Sequence, residues 1–179
     1  INLFISCDGF GEIGEYQRTG FSTERFENNL NNLLNLIKNK PQFQEIQIIH
    51  VITAINVFDI FNFRNQLVDK FKLSDNVINF QFAKTPWYFS ATSFSEEFKN
   101  NIYSFLNENL KDEFGNKFKE QINNFIYFLK NNKIENENLK QLDMAINLDS
   151  IRNTDIRKIA PWVVDDIWNR VKINISKVI

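Results

Sequence analysis

Three apolar runs, each closed by a turn signal and followed by a stretch of helical periodicity, constrain this chain more than any other feature. The first, Ile1 to Ser6, carries Ile1, Leu3, Phe4 and Ile5 and stops at Asp8-Gly9, a turn pair. Its near-continuous apolar character predicts a parallel strand covered on both faces. Gly9, Gly11, Gly14 and Gly20 follow and read as a loop. A helix is then expected from Ser22 or Thr23, either of which can N-cap it. Phe26, Leu30, Leu33, Leu34 and Ile37 recur at helical spacing, and Pro41 closes the unit.

The second run, Glu45 to Ile55, puts Ile46, Ile48, His50, Ile52 and Ala54 on one face and Ile49, Val51 and Ile55 on the other. It too predicts a covered strand. Asn56 ends it, and a helix is expected from about Phe58 to Phe71, with Phe63, Leu67 and Phe71 on one stripe. The third run, Val77 to Phe82, alternates Ile78, Phe80 and Phe82. Thr85-Pro86-Trp87-Tyr88-Phe89 comes next, and Ser95 can cap a helix carrying Phe98, Ile102, Phe105 and Leu106. Strands alternating with helices predict an α/β fold, a parallel sheet with crossover helices. The remainder reads as helical. Phe118, Ile122, Phe125, Ile126 and Leu129 form a strong stripe, and Leu139, Leu142 and Ile146 a weaker one. The Asn-rich stretch from Asn131 to Asn138 reads as the loop between them.

Composition narrows the function. The net charge is −1, so no basic excess exists to neutralise a phosphate backbone, and nucleic acid is not an expected partner. No apolar stretch approaches the roughly 20 residues of a membrane span. The single cysteine, Cys7, forms no internal disulfide and fits a reducing cytosol. The chain starts at Ile1 and its one methionine is Met144. Residues upstream of Ile1 are therefore expected.

Familiar chemical motifs are scarce. Gly9-x-Gly11-x-x-Gly14 matches a dinucleotide fingerprint in spacing. That motif needs a helix opening directly on the loop, whereas the helix is expected later, and Glu12 and Glu15 oppose an anion. His50, alone among isoleucines in mid-strand, reads as a hydrogen-bonded interior histidine. Asp149, Arg152, Asp155 and Arg157 read as a solvated charge cluster. No catalytic residue and no metal ligand stands out.

Ile5-Ser6-Cys7-Asp8-Gly9, then Arg18-Thr19-Gly20-Phe21, then a Phe-bearing helix with Asn29-Leu30, resembles radical S-adenosylmethionine (radical SAM) proteins, in which the fourth barrel strand ends roughly in S-x-D-G and an R-x-G element follows. Thr53-Ala54-Ile55-Asn56 resembles the end of the fifth strand, and Pro86-Trp87-Tyr88-Phe89-Ser90 the region after the sixth. Leu148-Asp149 with Arg152, Thr154-Asp155, Arg157 and Pro161 resembles the C-terminal region of twitch-type members, many of them bacterial or phage proteins.

The resemblance implies the C-terminal part of a partial (β/α)6 barrel over residues 1–112 and a mainly helical extension packed on it over 113–179. It implies an enzyme that cleaves S-adenosylmethionine (SAM) reductively to a 5′-deoxyadenosyl radical, which takes hydrogen from a peptide or small-molecule substrate. The [4Fe–4S] cluster would be held by residues absent from this chain. SAM contact carries over to Ser6 and Arg18. Asn56 and Tyr88, also at strand C-termini, join them as cofactor-binding candidates, since α/β barrels place ligands there. Arg18 offers a fork for a carboxylate or a surface pair with Glu15. Asn56 reads adenine or ribose, or caps the next helix. Asp8 reads as the holder of an Asx-type turn. The alternative from another class is a non-catalytic α/β binding or scaffold domain of the same shape. The expected setting is cytoplasmic, and the oligomeric state is left open.

Overall fold

The structure, a computed structural model, describes residues 1–132 and 146–176, with side chains through Asn169. Three strands, β1 (Asn2–Ser6), β2 (Glu45–Ile52) and β3 (Ile78–Phe82), form one parallel sheet in chain order. Helices α1 (Gly11–Gln17) and α2 (Thr23–Ile37) join β1 to β2, and α3 (Ile60–Phe71) joins β2 to β3. Beyond β3 lie α4 (Glu96–Asn109), α5 (Asn116–Asn131), helical residues 146–152 (α6), α7 (Ile156–Ile159) and α8 (Pro161–Ser176). The chain is thus an α/β protein, as its strand–helix alternation predicts. The expected loop up to Asn138 and the stripe at Leu139 and Leu142 fall largely outside the described residues.

The two serine caps form as the sequence predicts. Ser22 Oγ accepts from the Arg25 amide at 3.3 Å and Ser95 Oγ from the Phe98 amide at 3.1 Å. Each satisfies one of the orphan N–H groups of a helix start. The first helix prediction, however, misses α1. Gly11 opens it and Gly14 lies inside it, a residue that weakens helices by roughly 1 kcal/mol relative to alanine. The reason for glycine is contact: a Cβ on Gly14 would sit 2.2 Å from the Gly9 carbonyl oxygen. The helix packs directly on the turn that follows β1, and only a residue without a side chain allows it.

The strand register sorts the side chains onto two faces. Ile5, Ile48 and Ile78 are aligned, as are His50 with Phe80 and Ile52 with Phe82. This face is covered over β2 and β3 and partly over β1. Phe63 of α3 lies 4.1 Å from the His50 ring, Phe118 of α5 packs edge-on against Phe80, and Phe125 and Phe128 of α5 meet Phe82. Phe10 bridges α2 and α3 by contacting Phe26 and Phe63. Phe63, Phe118 and Phe125 are fully buried, each worth roughly 1.5–3 kcal/mol of transfer free energy.

The opposite face is different. Asn2, Phe4 and Ser6 of β1 are exposed, Phe4 by 64%. Ile49 and Val51 of β2 are only half-buried, and Gln81 is exposed. Polar side chains ladder across it: Asn79 donates to Gln47, and Gln47 to Glu45. β1 is therefore not the strand covered on both faces that its apolar run predicts. Its Leu3 and Ile5 face the helices, while Phe4 does not.

The two sheet edges also differ. The Gln121 amide of α5 accepts from Phe80 N–H at 2.6 Å and donates to the Ile78 carbonyl at 2.8 Å, so it occupies the outer edge of β3. The outer edge of β1 pairs with no strand among the described residues.

Candidate functional site

A pocket of about 220 Å³ opens at the C-terminal end of the sheet. Val51, Ile55, Ala83, Pro86 and Phe89 give it an apolar wall, and Asp8, Tyr16, Gln17, Thr53, Thr85 and Arg152 supply polar groups. Sites of drug-sized ligands usually measure about 300–1,000 Å³, so this one suits a smaller molecule or one fragment of a larger one.

Its floor is a buried polar network rooted in the turn after β1. Asp8 stitches two segments together: Oδ1 accepts from the Val51 amide at 2.9 Å and Oδ2 from Arg18 Nε at 2.6 Å. This replaces the Asx turn expected for Asp8. Arg18 pairs with Asp8 rather than Glu15, because α1 folds the chain back over β1. Glu15 instead accepts from the Thr23 amide. Arg18 Nη2 also donates to Ser6 Oγ at 2.6 Å, so the structure brings Ser6, Asp8 and Arg18 together, with Asp8 alone of the three in the pocket lining. The Arg18 side chain remains 42% exposed.

Asn56 is wholly enclosed. Its Oδ1 accepts from the Thr53 amide at 2.7 Å, and its Nδ2 lies 2.8 Å from the Asp8 carbonyl and 2.9 Å from the Val51 carbonyl. The side chain ties the ends of β1 and β2 together and presents nothing to the pocket. His50 is buried beside it, with Nδ1 3.1 Å from the Cys7 carbonyl and Nε2 3.3 Å from Asn56 Nδ2. Burial lowers its pKa to about 4, against a smaller upward pull from Asp8. It is the hydrogen-bonded interior histidine that its setting predicts. Tyr88 lies half-buried in a 3-10 turn, Trp87–Phe89, packed edge-on against Phe89 and outside the pocket lining.

Gln17, Thr53 and Arg152 line the pocket without standing out in the sequence as site candidates, and Arg152 is half-buried there rather than part of a solvated charge cluster. Gln17 of α1 donates to the Asp8 carbonyl and accepts from Thr53 Oγ1 at 2.8 Å. The loss of α1 from the sequence reading hid it. Thr53 immediately follows β2, where the strand order alone places ligands. Arg152 comes from α6, 136 residues along the chain from the Tyr16 carbonyl to which its Nη1 donates at 2.7 Å. Nothing local in the sequence reports that contact. Tyr16 itself is buried with its hydroxyl unbonded, and burial with the nearby Asp149 carboxylate raises its pKa.

The donor set does not fit an iron–sulfur cluster. Such clusters are held by several cysteine thiolates. Cys7 is the one cysteine, it is fully buried, and burial pushes its thiol up to about 12. No group of three or more metal-ligating side chains occurs among the described residues. No described helix is long and apolar enough to cross a membrane. Comparison of the chain with family models, curated proteins and solved structures gives no match.

Proposed function

We propose that this chain binds a small molecule at the C-terminal end of its parallel sheet, as the closing half of a partial (β/α)6 barrel of the radical SAM type. One observation carries the reading: strands in the order β1-β2-β3 with, among the described residues, aromatic side chains of helices closing over one face while the other stays half-exposed. Doubly wound sheets put helices on both faces. Strands added in sequence with their helices all outside leave an inner face, as barrels do. The uncovered face with Phe4, Gln47, Ile49, Asn79 and Gln81 fits that lumen, and the open edge of β1 fits the place where further strands would pair.

Under this reading the cofactor is SAM. Ser6 and Arg18 meet its carboxylate, because Ser6 keeps its O–H and Arg18 its Nη1 without partners among the described residues. Asn56 serves by holding the rim together, and Tyr88 by backing Phe89. The [4Fe–4S] cluster would belong to residues outside this chain, and no step through it is assigned to residues here. The substrate is a peptide or small molecule, with neither nucleic acid nor membrane as partner, in the cytoplasm.

The second reading, a non-catalytic binding or scaffold domain, draws on the Asp8–Arg18 pair and the enclosure of Asn56, which spend predicted contact groups on structure. SAM titration separates the two. Saturable binding that Arg18→Met weakens at least tenfold supports the first reading. No binding heat, together with an encoding reading frame that lacks a C-x-x-x-C-x-x-C run, leaves the second.

A further inference from the structure

We infer that the rim pocket is a site for a small carboxylate with an apolar body, and that Arg152 receives its charge. The inference rests on the rim pocket being a ligand site, and it adds the class of molecule.

Charge accounting points to an anion. Asp8 and Arg152 are the charged residues of the lining. The Asp8 charge is already offset at 2.6 Å by Arg18, which stands outside the lining. The unmatched charge in the wall is therefore that of Arg152. Asp149 places its charge near Tyr16, but it lies outside the lining and its two oxygens accept from Thr154 Oγ1 and the Ile156 amide rather than from Arg152. Asp155 is held by Arg157 at 2.8 Å.

Geometry points to a carboxylate. Arg152 spends Nη1 on the Tyr16 carbonyl, a contact that fixes the guanidinium plane. Its Nε–Nη2 edge has no partner among the described residues. Two parallel N–H groups on one edge match the two oxygens of a carboxylate. Arg152 as a residue is half-buried, and a charge-assisted hydrogen bond is less screened there than at an open surface.

The other walls define the rest of the molecule. Val51, Ile55, Ala83, Pro86 and Phe89 offer no charge, so they favour an apolar body. Arg152 also borders a neighbouring cleft of about 430 Å³ with Glu15, Thr19 and Ile151. The Glu15 carboxylate there opposes an anion, which leaves the smaller pocket as the better seat.

Benzoate and its neutral counterpart benzamide test this on the chain as it stands, by amide and Arg Nε–H NMR shifts. Benzoate is expected to shift the amides of Thr53, Ala83 and Phe89 and the Arg152 Nε–H saturably, and benzamide to bind at least tenfold more weakly. Arg152→Gln should remove the preference, and Arg152→Lys, which keeps the charge without the fork, should retain part of it. Equal binding of the two probes overturns the carboxylate assignment while sparing the rim site, and the probe comparison needs no variant to fold. Unchanged preference in Arg152→Gln also overturns it. No saturable shift from either probe overturns both the inference and the rim site.

Discussion

The two faces of the sheet obey different rules although their strands have similar composition. On the face with His50 and Phe80, aromatic rings from α3 and α5 close over both residues. On the face with Phe4 and Gln81, apolar and polar side chains stand together half-exposed. Phe4 and Ile5 are neighbours in the sequence, and only the helices decide which is core. An apolar run reports that a strand exists, and says less about how many of its faces are covered.

The sharpest test of this asymmetry is Phe63→Ala. Phe63 is fully buried between Phe10 and His50, so a loss of about 3–5 kcal/mol is expected in urea unfolding. A loss below about 1 kcal/mol would mean that the covered face is loosely packed.

Acid attacks the same face through His50. Its folded pKa lies near 4, below the ordinary value of 6.5, so the unfolded chain binds a proton that the folded chain refuses. Stability is then full above about pH 6.5 and falls as the pH drops toward 4, by on the order of 3 kcal/mol. The loss should disappear in His50→Gln. An acid transition unchanged in that variant would assign it to the carboxylates instead.

Asn56→Ala strips partners from the Asp8 and Val51 carbonyls and the Thr53 amide. Leaving buried groups unpaired costs about 2–3 kcal/mol. Hydrogen exchange at Thr53 should rise with it, and unchanged exchange there would show that the rim does not depend on this side chain.

Phe4→Ala is the smallest effect and completes the contrast. At 64% exposure it should change stability by less than about 0.5 kcal/mol. A cost near that of Phe63→Ala would show that the open face is covered in solution.

Much of the architecture was legible, since periodicity and capping are local signals. Ser22 and Ser95 sit where their helices start, and the three apolar runs became the three strands. The glycines misled because their type does not state their reason. Gly14 serves a close approach within a helix, and a loop would have used the same letter. The site was less legible. Ser6 and Arg18 were each legible as candidates for SAM contact, but their bond to one another and Asp8 as the arginine's partner depend on α1, and Arg152 reaches Tyr16 across most of the chain. Such pairings follow from the tertiary fold, and no spacing rule reports them.

Gln121 gives the sheet a direction. Its amide imitates one residue of a neighbouring strand and occupies two of the hydrogen-bonding positions, the Phe80 N–H and the Ile78 carbonyl, that an incoming strand would use at β3. The sheet behaves like a zip with a stop sewn at one end: among the described residues, the edge of β1 is the one left without a partner. A strand that paired at that edge, whether of another chain or of a larger assembly, would lie on the β1 side of the rim pocket.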